Sequence, residues 1–254
     1  MARVTLLGTS AALSDAQHDY THFLISGENG RSPILIDCGS NPLPKFPRLS
    51  IQFEDIQDII LTHAHADHIA GMPNFMTEMW LLRRANPLRL YGLDSCLRQV
   101  DAMLLACAWD QLPNPFQVDY VRVPEQDRAP VLENDDFRIT AWLTKHFLPT
   151  IGLRIENKIN GQVLAYSCDT EPVPGIIELA QNADILIHES AGKGPGHSSA
   201  RQAGEAAAQA NVGALYLIHY PPPTYQNIDG WISEAQSAYS GRVYLCQDYD
   251  TIEF

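Results

Sequence analysis

Four side chains that can bind metal ions fall within six consecutive positions of this chain: His63, His65, Asp67 and His68. They follow residues 59–62, an apolar, β-branched run that is typical of a buried strand. Burying so many polar groups without a metal ion would be costly, so the cluster predicts a metal site on a loop at the end of that strand. His63 and His65 can point together while Asp67 and His68 turn elsewhere, which suits two adjacent ions and hydrolytic chemistry.

Three further candidate ligands each follow an apolar run: His146, Asp169 and His219. A lone histidine at a strand end is more often a buried, hydrogen-bonded side chain, and that alternative stays open for His146 and His219. As ligands, the three would complete two sites, with the carboxylate of Asp169 able to bridge them. Imidazoles favour zinc, whereas carboxylates also suit manganese or iron. We therefore expect two divalent metal ions, with Zn favoured and Mn or Fe open.

The chain carries a formal net charge of −13, which argues against a broad grip on nucleic-acid phosphates. A small-molecule substrate is therefore favoured, and any contact with nucleic acid would be local. No apolar run is long enough to span a bilayer and the first residues lack a secretion signal, so we expect no membrane partner. Five scattered cysteines without Cys-x-x-Cys spacing favour a reducing compartment, and we expect a cytoplasmic protein.

Strand-like and helix-like segments alternate along the whole sequence. Short apolar runs predict strands near residues 4–7, 23–25, 33–36, 59–62, 138–142, 152–155, 163–166, 185–187, 215–218 and 243–246. Helical spacing of apolar residues follows at 69–80, at 94–109, near 175 and at 231–239. Ser199 and Gln202 predict a capping box that opens one more helix. The alternation predicts an α/β fold, and the lack of any linker predicts a single domain, residues 1–254.

Ordered short motifs accompany the cluster over nearly the full length of the chain. They are LLGT at 6–9, LIDCG at 35–39, LTHAHADHIAGMP at 61–73, HxxPxxG at 146–152, YSCDT at 166–170 and LIH at 217–219. Together they resemble the metallo-β-lactamase superfamily, and within it most closely the ribonuclease Z branch. The resemblance implies a four-layer αββα sandwich and pairing of two copies as a homodimer.

The resemblance also implies which residues hold the two ions. The expected ligands are His63, His65 and His146 for one ion, Asp67, His68 and His219 for the other, and Asp169 as a bridge between them. Asp37, which ends the second motif, is expected to hold a ligand histidine through a hydrogen bond, with a simple turn as the alternative.

Further resemblance to ribonuclease Z lies in residues 188–190 and 196–199, where the family places a Glu–His pair beside the metals. By that analogy Glu189 would orient His197, and His197 would protonate the departing group or stabilise charge on a phosphoryl oxygen. The alternative is that His197 caps the helix that opens at Ser199. His188 is expected to bond locally.

Other histidines and cysteines in these regions have ordinary explanations. His18 and His22 are expected to be loop histidines, and Cys168 is expected to be a small buried residue rather than a redox-sensitive one.

The sequence departs from ribonuclease Z at two places that bear on the substrate. Only 22 residues separate His146 from Asp169, where the family inserts its transfer-RNA-binding arm. The first loop, residues 14–22, also lacks the basic Pro-x-Lys-x-Arg-Asn pattern associated with transfer-RNA maturation. A compact chain of this kind resembles the small phosphodiesterases of the superfamily.

The favoured function is therefore a two-metal-dependent phosphodiesterase in which a metal-bridging hydroxide attacks phosphorus, and Asp67 belongs to the catalytic machinery. Alternatives within the same fold are a transfer-RNA 3′-processing endoribonuclease and a hydrolase of esters, lactones or sulfate esters. A redox di-iron protein is disfavoured because redox members resemble His-x-Glu where His65 stands here. A non-catalytic metal-binding or scaffold protein is disfavoured because all seven expected ligands are present.

Overall fold

The β-prone runs form two seven-stranded sheets in the computed structural model, which describes residues 1–28 and 33–254. In spatial order, the first sheet contains β14 (Thr251–Glu253), β1 (Arg3–Gly8), β2 (His22–Ser26), β3 (Ile34–Ile36), β4 (Asp58–Ile60), β5 (Leu88–Gly92) and β6 (Val118–Arg122). The second contains β13 (Arg242–Leu245), β12 (Ala214–Ile218), β11 (Ile185–Glu189), β10 (Val163–Tyr166), β9 (Ile151–Asn157), β8 (Phe137–Leu143) and β7 (Ala129–Glu133).

Helices cover the outer faces of both sheets. They are α1 (Phe46–Leu49), α2 (Ala66–Ile69), α3 (Met72–Leu81), α4 (Asp94–Ala106), α5 (Pro174–Ala180), α6 (Ala200–Gln209) and α7 (Trp231–Gln236), with short 3-10 turns at Leu43–Lys45, Phe53–Asp55 and Trp109–Gln111. Within the described part of the chain, none of them combines the length and the apolar character needed to cross a membrane.

Successive side chains of the strands point to opposite faces of each sheet, so the buried residues form three apolar cores. In β2, Phe23 and Ile25 face a core between the two sheets, whereas Leu24 faces a core under α3 and α4. A third core joins the outer face of the second sheet, for example Leu215, to the small residues of α6. This period of two is what a strand packed on both faces requires. The predicted four-layer α/β sandwich is confirmed.

Some elements differ from the predicted ones. Four strands are absent from the sequence prediction because they lack a long apolar run: β5, β6, β7 and β14. In β5 the apolar pattern is interrupted by Arg89. Its guanidinium donates hydrogen bonds to the carboxylate of Asp58 on β4 at 2.6 and 2.7 Å. The segment after His68 forms two helices, α2 and α3, because Pro73 lies in the first turn of α3 and begins a new helix there.

The capping box predicted at the start of α6 is present. Ser199 accepts a hydrogen bond from the backbone N–H of Gln202, whose side chain accepts one from the backbone N–H of Ser199. His197 takes no part in this cap, so the alternative role proposed for it is not observed.

Replacing Ser199 with alanine is expected to lower the free energy of unfolding by about 1 kcal/mol, because a backbone donor of α6 loses its partner. Urea denaturation followed by circular dichroism measures this. Ser233→Ala, an exposed change in α7, is the matched control and should shift the value by less than about 0.5 kcal/mol. Equal effects of the two variants would contradict a capping role.

The predicted ligands and their neighbours follow the carboxyl ends of strands β3, β4, β8, β10, β11 and β12, at one edge of the sandwich. Backbone hydrogen bonds join the two sheets there: His219 donates its N–H to the carbonyl of Thr9 at 2.8 Å, and Ile151 donates to the carbonyl of Thr62 at 3.2 Å. The edge is therefore fixed by both sheets, and side chains from distant parts of the sequence meet there.

Candidate metal centre

The His63–His68 cluster spans a loop and one helical turn. His63 and His65 lie in the extended segment after β4, where alternate residues point to the same side. Asp67 and His68 lie in α2, in which His65 occupies the N-cap position. The prediction that all four ligands share a loop is therefore wrong for Asp67 and His68. The turn of helix separates the two pairs of side chains.

One group of four donor side chains contains His63, His65, His146 and Asp169. Nδ1 of His65 lies 3.1 Å from Nε2 of His63 and 2.9 Å from Nε2 of His146. Oδ2 of Asp169 lies 3.8 Å from Nε2 of His63 and 3.6 Å from Nε2 of His146. His65 and His146 are 81 positions apart in the sequence and converge here.

A second group contains Asp67, His68 and His219, and Asp169 borders this group as well. Nε2 of His68 lies 3.5 Å from Oδ2 of Asp67 and 3.6 Å from Oδ1 of Asp169. Nε2 of His219 lies 3.9 Å from Oδ2 of Asp67 and 3.2 Å from Oδ2 of Asp169. Asp169 thus faces both groups: Oδ2 lies near histidines of each group, and Oδ1 lies near His68.

The donor atoms fit two metal ions in spacing and in chemistry. Two ligands about 2.1 Å from a tetrahedral ion are about 3.4 Å apart, which falls within the range of separations observed here. Nε2 of His68 and Oδ1 of Asp169 are buried and have no hydrogen-bond partner among the described residues. Buried polar atoms without partners are costly, and a cation between these two would satisfy both.

Hydrogen bonds on the far side of the rings fix which nitrogen faces the cluster. Nδ1 of His68 donates to Asp37 at 2.8 Å, which is the contact predicted for Asp37. Nδ1 of His146 donates to the carbonyl of Gly196 at 2.8 Å, and Nδ1 of His219 faces the hydroxyl of Thr21 at 3.1 Å. Each bond leaves the Nε2 lone pair free for a metal ion.

Asp37 connects two of the rings. Its carboxylate accepts hydrogen bonds from the backbone N–H and the hydroxyl of Thr62, at 2.8 to 3.0 Å, as well as from His68. The same hydroxyl lies 3.2 Å from Nδ1 of His63. Asp37 therefore positions one ring of each group.

Replacing Asp37 with alanine is expected to weaken metal binding about 10- to 100-fold, because partners of this kind orient ligand rings and raise their basicity. Competition with a chromophoric chelator measures the affinity for Zn²⁺. Asp136→Ala, which removes another buried carboxylate, is the control. Unchanged affinity in Asp37→Ala would contradict the positioning role.

Charges in the cluster reinforce its suitability for cations. Burial would lower the pKa of His68, but Asp169 and Asp37 outweigh it and raise that pKa to about 10. Burial would raise the pKa of Asp169, but His219 and His68 outweigh it and hold that pKa well below its ordinary value. Burial holds the pKa of His63 well below its ordinary value. The surroundings of His68 thus favour positive charge, while His63 is a neutral donor.

Glu189 and His197 form a pair beside these groups. Nδ1 of His197 donates to Oε1 of Glu189 at 3.2 Å, and Glu189 also accepts backbone hydrogen bonds from Thr170, Ala191 and Ser198. Burial would lower the pKa of His197, but the hydrogen bond to Glu189 and the charges of Glu189, Asp169 and Asp67 together raise that pKa. The buried carboxylate thus holds the ring through Nδ1, and one ring nitrogen of His197 lies within 4.8 Å of donor atoms of Asp169 and His219.

Three residues around the site have a left-handed backbone conformation, which residues other than glycine rarely adopt. They are Asp37, Cys168 and His219, with φ of 61°, 51° and 54°. Each follows a strand by one to two residues and turns the chain sharply at the sheet edge. Such conformations cost free energy and are enriched at functional sites, although this chain also adopts them elsewhere, for example at Ser50 and Asn211. No local pattern in the sequence signals them.

A cleft of about 430 Å³ opens over the cluster. It is lined by Ala11, Ala12, His65, Ala66, Asp67, Phe147, Asp169, His197 and His219. The spacing of polar residues indicated the candidate ligands, but it gave no sign of Ala11, Ala12 or Phe147 in the cleft wall. Ala11 and Ala12 lie outside the motifs, and Phe147 occupies an unspecified position of HxxPxxG.

The remaining candidates, His18, His22, His188 and Cys168, lie outside the two donor groups. His22 begins β2 and is fully buried, so its prediction as a loop histidine is wrong; Nδ1 donates to the carbonyl of Tyr20 at 2.7 Å. His18 bonds Asp15 at 2.9 Å, and His188 donates to its neighbour's carbonyl. Sγ of Cys168 lies 3.7 Å from Nδ1 of His63, the nitrogen that faces away from the first group, and burial raises the pKa of this thiol.

Known proteins match this chain over almost all of its length. Ribonuclease Z of Mycobacterium marinum is 29% identical over 284 aligned residues, which cover 100% of this chain and 99% of that protein. The metallo-beta-lactamase fold protein YhfI of Bacillus subtilis is 25% identical, with a TM-score of 0.83 and coverage of 100% and 99%. Human tRNase Z, short form, is 21% identical, with a TM-score of 0.78 and coverage of 99% and 98%.

The family model for the beta-lactamase superfamily domain matches residues 33–220. That range begins before Asp37 and ends after His219, so it contains every side chain described at the two groups. The family assignment therefore extends to the site itself, and the chain belongs to the metallo-β-lactamase superfamily.

Proposed function

We propose that this metallo-β-lactamase superfamily hydrolase cleaves phosphodiesters. The observation that carries the proposal is the arrangement of two donor groups that both face Asp169, with His197 beside them in the same cleft. This arrangement offers two cation positions next to a group that can transfer a proton, which is what displacement at phosphorus requires.

We assign His63, His65 and His146 to one ion, Asp67, His68 and His219 to the other, and Asp169 to both. Zinc is proposed for both positions, because five of the seven donors are imidazoles. When bound, the ions would supply an activated water and positive charge for the phosphoryl oxygens.

The chain's own residues would complete the reaction. Asp67 and Asp169 would place negative charge where the ions would bind. His197 would hold a proton on Nε2 and deliver it to the oxygen of the departing group. Glu189 would keep the ring in place by accepting from Nδ1, and it would offset the charge of the protonated ring. Ala11, Ala12 and Phe147 line the cleft and would restrict water around the bound diester.

Activity profiling tests the proposal. We would supply zinc-loaded protein with bis(p-nitrophenyl) phosphate, p-nitrophenyl acetate, p-nitrophenyl sulfate and a homoserine lactone, and compare kcat/KM. We expect the phosphodiester to be preferred. A preference for the carboxylic ester, the lactone or the sulfate ester would contradict it and support the corresponding alternative.

The second candidate function is transfer-RNA 3′ processing, which is favoured by the full-length similarity to ribonuclease Z. Two features weigh against it. The interval from His146 to Asp169 is filled by β9, β10 and a short turn, and the net charge is −13. Incubation with precursor transfer RNA decides this: trimming at the 3′ side would support the second candidate, whereas cleavage of simple diesters alone would exclude it.

We also propose that residues 1–254 form one domain, that two copies pair as a homodimer, and that the protein is cytoplasmic. The single domain is supported by the pairing of β14 with β1 and by the core shared between the two sheets. The homodimer and the location rest on the family. Light scattering of the purified protein tests the dimer, which a mass near 28.2 kDa would contradict.

A further inference from the structure

Phe147 is a large aromatic side chain left 65% exposed at the mouth of the cleft. It follows His146 directly and contacts that ring edge to face, with 5.2 Å between centroids. Large exposed apolar side chains scattered over a surface need no explanation, but one that lines a cleft beside a candidate reaction centre presents a face to any bound molecule.

The backbone at Gly196 packs closely against the ring of Phe147. A Cβ atom on Gly196 would lie 2.8 Å from Cε2 of Phe147 and 2.9 Å from Nδ1 of His146, so the chain approaches both rings closely there. Gly196 also has φ of 78°, accepts from His146 and donates its N–H to Glu171 at 3.0 Å. Because His197 comes next, Phe147 and the proposed proton donor are positioned by the same backbone segment.

The wall of the cleft is apolar rather than cationic outside the two donor groups and His197. Among the residues that the structure describes, no lysine or arginine lines it. The nearby Lys145 is paired with Glu171 at 2.7 Å. Additional phosphate groups on a substrate would therefore lack cationic partners in the cleft wall, whereas a neutral ring would find the face of Phe147 and the methyl groups of Ala11 and Ala12.

We propose that Phe147 is a specificity-determining residue that stacks on a planar aromatic ring carried by one ester arm of the phosphodiester. The inference rests on the proposed function and names the substrate class within it: a singly charged diester with an aryl group or a nucleobase. The ring would lie against the exposed face of Phe147 while the phosphoryl group occupies the donor cluster.

Calorimetric binding to the zinc-loaded protein tests this, with each titration completed before the probe is detectably hydrolysed. The probes are diphenyl phosphate and dicyclohexyl phosphate, which have the same charge and similar size but differ in aromaticity. We expect the wild-type protein to bind diphenyl phosphate more tightly. Phe147→Ala should weaken that ligand about 5- to 10-fold and remove the preference, since aromatic pairs contribute beyond their buried area. Phe147→Trp should retain it.

Tyr225→Ala is the matched control, because Tyr225 is 59% exposed and does not line the cleft. It should leave both affinities unchanged. Thymidylyl-thymidine distinguishes the two sources of a ring: the same sensitivity to Phe147→Ala would identify a nucleobase, and sensitivity of diphenyl phosphate alone would identify a simple aryl group.

A preference for diphenyl phosphate that persists in Phe147→Ala, or its absence in the wild-type protein, would overturn the proposal. Such a result with phosphodiesterase activity intact would leave the proposed function standing. A protein that binds diphenyl phosphate through Phe147 yet cleaves no phosphodiester would instead overturn the proposed function alone.

Discussion

Replacing Asp169 with asparagine is expected to lower phosphodiesterase activity about a thousandfold and to reduce bound zinc to one ion or fewer per chain. Asp169 faces both donor groups at 3.2 to 3.8 Å, so the loss of its charge affects both positions. Bound ions would contribute positive charge worth several kcal/mol in the transition state, and about 1.4 kcal/mol corresponds to tenfold in rate. Elemental analysis and steady-state kinetics measure the two effects.

Asp58→Asn is the matched control for that variant. Asp58 is also a buried aspartate, but its carboxylate pairs with Arg89 at the start of β4, away from the donor cluster. This change should lower stability while leaving the zinc content and the activity per folded molecule near the wild-type values. Full zinc content in Asp169→Asn would contradict the shared position of this carboxylate.

Replacing His197 with alanine is expected to lower kcat about 10²- to 10⁴-fold for a diester with a poor leaving group, because a positioned acid contributes that much. The loss should be tenfold or less for methyl p-nitrophenyl phosphate, since p-nitrophenolate departs without a proton. A dinucleoside phosphate serves as the poor leaving group. The comparison separates proton transfer from a general disturbance of the cleft, which would slow both substrates equally.

Glu189→Gln tests the positioning role on the same two substrates. The side chain keeps its size but loses the charge that holds the protonated ring of His197. We expect a smaller loss than in His197→Ala, again greater for the poor leaving group. A loss that is equal for both substrates would indicate that Glu189 acts only by bonding the backbone of Thr170, Ala191 and Ser198.

The sequence alone was sufficient to predict the fold class and the convergence of the donor side chains. The His63–His68 cluster lies within six consecutive residues, so the sequence predicts a metal site there without knowledge of the fold. His146 and His219 could be linked to it only through the family motifs, because residues this far apart meet according to which strands are neighbours. Local spacing contains no information about that order.

Other features depend on tertiary packing and could not be predicted. β5 has a charged residue in its middle and is stabilised by the bond between Arg89 and Asp58 across the sheet. The left-handed backbone at Cys168 and His219 is imposed by the sheet edge rather than by residue preference. The place of Phe147 depends on the close approach of Gly196 from another segment.

A zinc titration of chelator-treated protein tests the central claim most directly, with hydrolysis of bis(p-nitrophenyl) phosphate as the readout. We predict almost no activity without metal, an increase on addition of zinc, and a plateau near two equivalents per chain. Full activity in the metal-free protein, or two bound zinc ions with no phosphodiester hydrolysis, would contradict it.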